Sequence, residues 1–179
     1  MSRVDLRQDP PYQDLLYLAA NMRQRDREEV FATMFGNHPA DFAAVMKSAG
    51  AFKWGAYIDG KIVGIVGATP LWPKVWSIWA VGTDDWPMAV LSLSRHAKRF
   101  MIPTLLKAGF IRAEAQSLAT HTDAHAWMES LGARRENVLY NYGKNGEKFV
   151  SFVWTRKTAK HAMKATRGPR PSVSRTGNT

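Results

Sequence analysis

The stretch from Val75 to Gly109 constrains the fold of this chain more than any other part of the sequence. It opens with VWSIWAV, a short apolar run typical of a buried strand. The turn GTDDWP follows, in which Pro87 suits the first turn of a helix and Asp84 or Asp85 is a candidate N-cap. Apolar residues then recur at helical spacing, although Pro103 should kink or split that helix. A strand followed by a long helix predicts a crossover connection within one sheet.

Two hairpins are predicted on either side of this unit. Asp59-Gly60 and Asn145-Gly146 are residue pairs that tight hairpin turns favour, and each pair lies between two strand-like runs. Gly64, inside one of these runs, indicates a bulge or a close backbone neighbour, as does Gly67. The predicted hairpin strands are Phe52–Ile58 with Lys61–Ala68, the latter closed by Pro70, and Arg134–Tyr142 with Lys148–Trp154.

The remaining patterns complete an α+β domain. Residues 3–8 alternate like an edge strand, and the segments from Tyr12 to Phe35 and after Pro39 have helical periodicity. Phe110–Leu118 is a further strand, and His121–Leu131 is a short helix. This order predicts a mixed, mostly antiparallel sheet flanked by helices, spanning residues 1–155.

Charge is concentrated at the C-terminus. Seven of the 25 Lys and Arg residues and none of the 15 Asp and Glu residues lie within 156–179, so residues 1–155 carry only +3 of the net +10. We therefore predict a flexible, disordered basic tail at 156–179, with at most one helical turn at Thr158–Ala165. The tail residues that would contact nucleic acid or an acidic partner are Arg156, Lys157, Lys160, Lys164, Arg167, Arg170 and Arg175.

Some classes of protein are excluded by composition. The sequence has no Cys, so disulfides, thiolate catalysis and Cys-bound metals are absent. No apolar run reaches the length of a membrane span, and the N-terminus MSRVDLRQDPPYQ lacks the apolar core of a signal peptide. The sequence thus predicts a soluble, unexported protein without a membrane segment.

The predicted order of elements resembles the fold of the GNAT N-acetyltransferases. More narrowly, WAVGTDDW, SRHAKRFMIPTLL and AWMESLGARRENVLYNYGKNGEKFVSFVWTRK resemble the GNAT-like internal virion protein A family of T7-type podophages. MRQRDREEV is similar to a pattern in the first helix of related phage proteins. This resemblance implies a non-catalytic bacteriophage protein that acts in virion morphogenesis through contacts with other phage structural proteins. It would lie in the virion interior, or in the host cytoplasm during assembly.

The turn after the central strand bears on cofactor binding. GNAT enzymes hold the pyrophosphate of acetyl-CoA with a Q/R-x-x-G-x-G/A turn, and GTDDWP retains only Gly82. Asp84 and Asp85 stand where phosphate would approach, and like charges about 4 Å apart repel by about 4 kcal/mol at an effective dielectric near 20. The resemblance therefore implies no cofactor. The alternative is an acetyl-CoA-dependent N-acetyltransferase, in which pantetheine would pair with Ile78, Trp79, Ala80, Val81 and Gly82.

The catalytic candidates are weak, which favours a protein that is not an enzyme. Met128 falls where the family's proton-donating Tyr stands, and a thioether cannot donate a proton. Glu114 is a candidate general base and His125 a candidate general acid, but a solvent-facing strand carboxylate is the simpler interpretation of Glu114. His121 and His125 lack the third ligand of a zinc site, so no metal is expected. A second alternative is a DNA-associated virion protein that acts through its basic tail.

Overall fold

A computed structural model describes residues 3–49 and 52–164. A single seven-stranded sheet has the strand order β1-β2-β3-β4-β5-β7-β6, and only β4 and β5 are parallel neighbours. The strands are β1 (Asp5–Gln8), β2 (Phe52–Ile58), β3 (Lys61–Trp72), β4 (Val75–Gly82), β5 (Arg112–Leu118), β6 (Arg134–Leu139) and β7 (Phe149–Thr155). The helices are α1 (Tyr12–Ala20), α2 (Gln24–Ala32), α3 (Pro39–Ser48), α4 (Trp86–His96), α5 (Ile102–Lys107), α6 (Thr122–Ser130) and α7 (Arg156–Lys164). The predicted mixed, mostly antiparallel sheet flanked by helices is confirmed.

Helices cover both faces of the sheet, and the strand side chains alternate between two cores. Trp79 and Val81 of β4 belong to the core under α1–α3, whereas Ile78 and Ala80 pack into the core under α4–α7. Alternation of this kind follows from the two-residue period of a strand. Fully buried members of the first core are Leu15, Leu18, Met46 and Ile65, and those of the second are Leu93, Phe110 and Phe152.

The first hairpin forms where Asp-Gly predicts it. Asp59 and Gly60 have φ angles of 49° and 80°, as a type I′ turn requires at its two central residues. The prediction that β3 closes near Pro70 is wrong, because the strand continues to Trp72. Pairing with β2 stops at Ala68, so the rest of β3 has a free edge on that side, where a proline costs no ladder hydrogen bond.

The long helix after β4 is split, as Pro103 predicts. A π-helical turn at Ala97–Met101 separates α4 from α5, because Pro103 has no N–H to continue the regular hydrogen-bond ladder. Asp85, one of the two predicted candidates, is the N-cap residue of α4, but its side chain does not take the hydrogen-bonding role of a cap. Thr83 takes this role through its carbonyl, which accepts from the Trp86 N–H, and its hydroxyl, which accepts from the Asp85 N–H.

The predicted start of the basic tail requires a correction. Residues 156–164 form α7, in which Ala159 and Ala162 are buried against the domain. Arg156, a predicted partner contact, instead donates to the carbonyls of Leu106 and Phe110 near the end of α5. The packed structure therefore extends to Lys164. Three predicted contacts, Arg167, Arg170 and Arg175, lie outside the described residues.

Across the described ranges, 3–49 and 52–164, none of the helices has both the length and the apolar character needed to cross a membrane.

A cleft between the splayed strands as candidate functional site

The parallel strands β4 and β5 separate soon after they meet. Their pairing covers only Val75 with Arg112, Trp76 with Ala113, and Ser77 with Glu114. Beyond these pairs, the rest of β4 is hydrogen-bonded to β3 on one side only. A cavity of about 650 Å³ occupies the gap that this divergence opens.

The cavity passes through the sheet and has walls from both helical layers. Val30, Phe42 and Met46 of α2 and α3 line it on one face of the sheet. Residues of α4 and α6, including Val90 and Trp127, line it on the other face. Because its walls are mostly apolar, an elongated ligand with few polar groups fits it better than a highly charged one.

Four of the five predicted cofactor-binding residues line this cavity. They are Ile78, Trp79, Ala80 and Val81. The fifth, Gly82, uses its N–H inside the protein, since it donates to Asp26 Oδ2 at 2.7 Å. Asp26 is only 2% exposed, and burial raises the pKa of its carboxyl group, against the lowering effects of Arg23 and of the Gly82 N–H.

Helix α2 spans the open end of the gap and is tied to both strands. The Asp26 carboxylate accepts a hydrogen bond from the Gly82 N–H at the end of β4, and the Glu29 carboxylate accepts one from the Leu118 N–H at the end of β5. Oε2 of Glu29 lies 2.7 Å from both the Leu118 N–H and the Ser117 hydroxyl. His121 stands between the two carboxylates, with Nδ1 3.1 Å from Glu29 Oε2 and Nε2 3.5 Å from Asp26 Oδ1. These contacts form one buried polar group, which we call the α2 brace: Arg23, Asp26, Glu29, Ser117 and His121.

The turn between β4 and α4 does not fit a pyrophosphate. Several of its N–H groups already bond within the protein: Thr83 donates to Val63 O, and the N–H groups of Asp85 and Trp86 donate to Thr83. Pro87 has no N–H to contribute. The carboxylates of Asp84 and Asp85 are exposed at this point, so an incoming phosphate would meet like charge.

Two indoles close the space between α4 and α6 beside this turn. The rings of Trp86 and Trp127 meet edge to face with centroids 5.4 Å apart, and the Trp127 N–H donates to the Ser94 hydroxyl. The Trp86 ring lies over Gly64 and Gly82, where an added Cβ would come within 2.7 and 2.5 Å of it. The prediction at Gly64 is a bulge or a close backbone neighbour: the pairing of β2 with β3 shifts register beside Gly64, between Ala56 and Tyr57, and the close neighbour is a side chain, the Trp86 ring.

The two predicted catalytic candidates are not brought together, and neither lines the cavity. Glu114 has partners in Arg112, whose Nε is 2.6 Å away, and in Gln116. His125 is 1% exposed, with Nε2 3.0 Å from Leu118 O and its ring against Phe152. Burial lowers the pKa of His125. Met128 does line the cavity.

All five residues of the α2 brace line the cavity, together with other polar residues such as Gln116 and Asp123, and sequence reasoning missed Asp26 and Glu29. Their segment, RQRDREE, reads as a solvated face because every residue in it is polar. The available signal was spacing, since Arg23, Asp26 and Glu29 recur every three residues and so share one side of a helix. Within the part of the chain that the structure describes, no group of three or more His, Asp or Glu residues is placed to hold a metal ion.

Comparisons with known proteins bear on this fold. The sequence matches no protein-family model and no curated protein sequence. Solved structures do match: an acetyltransferase of the GNAT family from Bacillus anthracis superimposes with a TM-score of 0.64 at 13% identity, covering 88% of this chain and 98% of that one. The ribosomal-protein-S18-alanine N-acetyltransferase from Escherichia coli gives 0.60 at 16% identity, covering 87% and 94%. Ard1 from Thermoplasma volcanium gives 0.65 at 10% identity, covering 85% and 97%. The chain therefore has the fold of the GNAT acetyltransferases.

Proposed function

We propose that this chain is an N-acyltransferase of the GNAT type, whose cleft takes the pantetheine arm of an acyl thioester such as acetyl-CoA. The observation that supports this proposal is the divergence of β4 and β5 beyond Ser77, with Ile78–Val81 lining a cavity of about 650 Å³. An open strand edge hydrogen-bonds an extended amide chain as it would a neighbouring strand. Pantetheine is such a chain, because it carries two amides.

In this proposal the pantetheine arm of the acyl thioester supplies most of its binding affinity for the cleft. In the turn at Gly82–Pro87 the N–H groups of Gly82, Thr83, Asp85 and Trp86 are engaged within the protein, and two carboxylates are exposed, so the nucleotide end of acetyl-CoA gains little there. A thioester that lacks the nucleotide should then bind about as tightly as acetyl-CoA does.

His121 is the proposed proton acceptor for transfer. It is 3% exposed, lines the cavity and has no hydrogen-bond partner at Nε2 among the described residues. The amine nitrogen of the acceptor would attack the thioester carbonyl and pass a proton to this Nε2. The C–S bond then breaks, and the departing thiolate takes that proton from the imidazolium to leave as the thiol, which restores the neutral His121. Asp26, 3.5 Å from Nε2, would stabilise the imidazolium.

Calorimetry with acetyl-CoA and with S-acetylpantetheine tests the binding step. We expect micromolar affinity for both, lost when Ala80→Phe fills the cleft and kept in the control Ile111→Phe, where Ile111 is 55% exposed outside the cavity. A melting curve for each variant checks that it is folded. Failure of the wild type to bind either thioester would overturn the proposal.

The chemical step is tested by release of free thiol in the presence of primary amines. His121→Gln should lower kcat at least tenfold and leave the KM for the thioester unchanged. Equal losses in kcat and in thioester binding would instead assign His121 to the structure of the cleft.

A second candidate is a non-catalytic phage structural protein, as the resemblance to internal virion proteins implies. The specific observation in its favour is the closed turn: four of its N–H groups, those of Gly82, Thr83, Asp85 and Trp86, are engaged within the protein, and Trp86 and Trp127 pack together beside it. Met128 at the family's Tyr position agrees with a loss of chemistry. This candidate predicts no heat with either thioester and predicts the chain among the proteins that mass spectrometry detects in purified virions.

A further inference from the structure

A second cavity, of about 600 Å³, lies away from the cleft, between α7 and the turn that follows α6. Gly132, Ala133 and Thr158 are among its lining residues, and no carboxylate lines it. Five basic side chains also line this cavity, which we call the α7 groove. They are Arg134, Lys157, Lys160, His161 and Lys164.

Nearby carboxylates do not neutralise these cations. Glu129 is 2.8 Å from Nε of Arg135, and both oxygens of Glu136 accept from Arg112. The guanidinium of Arg112 lowers the pKa of Glu136, so that carboxylate stays charged and engaged. Over residues 3–49 and 52–164, none of Arg134, Lys157, Lys160 and Lys164 forms an ion pair.

Packing fixes the helix that presents the lysines. Ala159 and Ala162 are buried against the domain, and Gly132 allows α7 to approach because an added Cβ there would lie 2.8 Å from Ala162 Cβ. Lys157, Lys160 and Lys164 follow helical spacing on the opposite, exposed side. At a rise of about 1.5 Å per residue they span roughly 10 Å of surface.

The chemistry of the groove selects among polyanions. Its lining has no Phe, Tyr or Trp on which an unpaired base could stack and a single imidazole, that of His161, while Gly132 and Ala133 offer no large apolar anchor for a protein partner. The apolar side of α7 is already buried, so it cannot insert into a membrane. In the sequence, the residues after Lys164 add three arginines and no acid, which suits a partner of repeating negative charge.

We propose that the α7 groove binds the phosphate backbone of double-stranded nucleic acid without reading its sequence. Lysines and arginines that contact successive phosphates give affinity through counterion release, which does not depend on base identity. This proposal does not depend on acyl transfer, since the groove and the cleft share no lining residue.

The test is fluorescence anisotropy of the full chain with a labelled 30-base-pair duplex over a range of salt concentrations. The variant Lys157→Ala/Lys160→Ala/Lys164→Ala removes three groove cations at positions where alanine favours the helix. The matched control, Arg95→Ala/Lys98→Ala/Arg99→Ala, removes the same charge from α4 and the π-helical turn, away from the groove.

We expect the groove variant to lose at least tenfold in affinity at low salt. The slope of log K against log[salt] should become shallower by about 0.9 for each phosphate contact removed, or about 2.7 for three. The control should bind within about threefold of the wild type. Circular dichroism should show both variants folded.

Three results would overturn the proposal. One is equal loss in the two variants, which would mean that only net charge matters. Another is wild-type binding that poly-glutamate abolishes at the same charge concentration as unlabelled duplex, which would indicate an acidic protein partner. The third is absence of binding at about 50 mM salt.

Discussion

Gly67 shows how a single missing methyl group positions a large side chain. The Trp79 ring lies across Gly67, so that an added Cβ would overlap its Cζ2 and Cε2 atoms, and the indole N–H donates to the Thr69 hydroxyl. We expect Gly67→Ala to lower the free energy of unfolding by about 1–3 kcal/mol, because the ring must leave its position to admit the methyl.

Urea unfolding measures this effect. A suitable control is Gly36→Ala, where the new Cβ meets only the exposed Asp41 carboxylate at 3.2 Å, which can move aside. Equal midpoints for Gly67→Ala and the wild type would show that the ring is not held where the structure has it.

The sequence predicts which glycines have close neighbours better than it predicts which charged side chains are buried. The constrained neighbours of Gly64 and Gly67 follow from their place in a strand, whichever residue proves to be the neighbour. Asp26 could not be recognised in this way, because its burial depends on Gly82, which is 56 residues further along the chain. A polar helical segment reads as solvated until the strands that it bridges are known.

At the scale of elements, α2 links the ends of β4 and β5, which are not hydrogen-bonded to each other beyond their first three pairs. Glu29 holds the end of β5 through the Leu118 N–H and the Ser117 hydroxyl, both at 2.7 Å. Glu29→Ala should destabilise the protein by about 1–3 kcal/mol, since it leaves a partly buried N–H without an acceptor. Hydrogen exchange of the Leu118 amide should accelerate more than that of amides in β2.

The same helix provides the control. Glu28 is exposed and accepts a hydrogen bond from Gln24, four residues away, so Glu28→Ala should change stability by less than about 0.5 kcal/mol. Similar exchange rates at Leu118 in the two variants would contradict the bracing role of α2.

Helix α7 marks a limit of pattern-based prediction at this scale. Its buried side consists mainly of Ala159 and Ala162, small residues that give a strongly basic segment little total hydrophobicity, although the two sides of the helix differ sharply in polarity. The helix docks because Gly132 leaves room for its backbone, a condition set by a turn some 27 residues earlier. The sequence shows that this segment is basic, but it does not show that the lysines lie together on the exposed side of a docked helix.

For the molecule as a whole, buried histidines predict sensitivity to acid. Burial lowers the pKa of both His96 and His125, so the folded state resists their protonation. Above the ordinary histidine pKa of about 6.5 both states are neutral and the stability is fully present. As the pH falls below that value, the unfolded chain takes up protons that the folded chain does not, and stability is lost.

The expected result is that the stability advantage of the wild type over His125→Gln shrinks between pH 7 and pH 5. Glutamine can still donate to the Leu118 carbonyl and does not titrate. The raised pKa of Asp26 has the opposite effect, because protonation at lower pH removes its buried charge and stabilises the folded state. This contribution is the same in the wild type and in His125→Gln, so it cancels in the difference between their stabilities. Urea titrations at the two pH values give the difference, and a constant difference would contradict the prediction.

The short contact between β4 and β5 also has a mechanical meaning. Three residue pairs join the half of the sheet made of β1–β4 to the half made of β5–β7, whereas β5 and β7 share seven pairs. Because β1 lies in one half and α7 follows β7 in the other, tension applied between these two ends loads that narrow seam. The carboxylates of Asp26 and Glu29 in α2 link the two halves across this contact. Mechanical unfolding should therefore begin when their hydrogen bonds to β4 and β5 break.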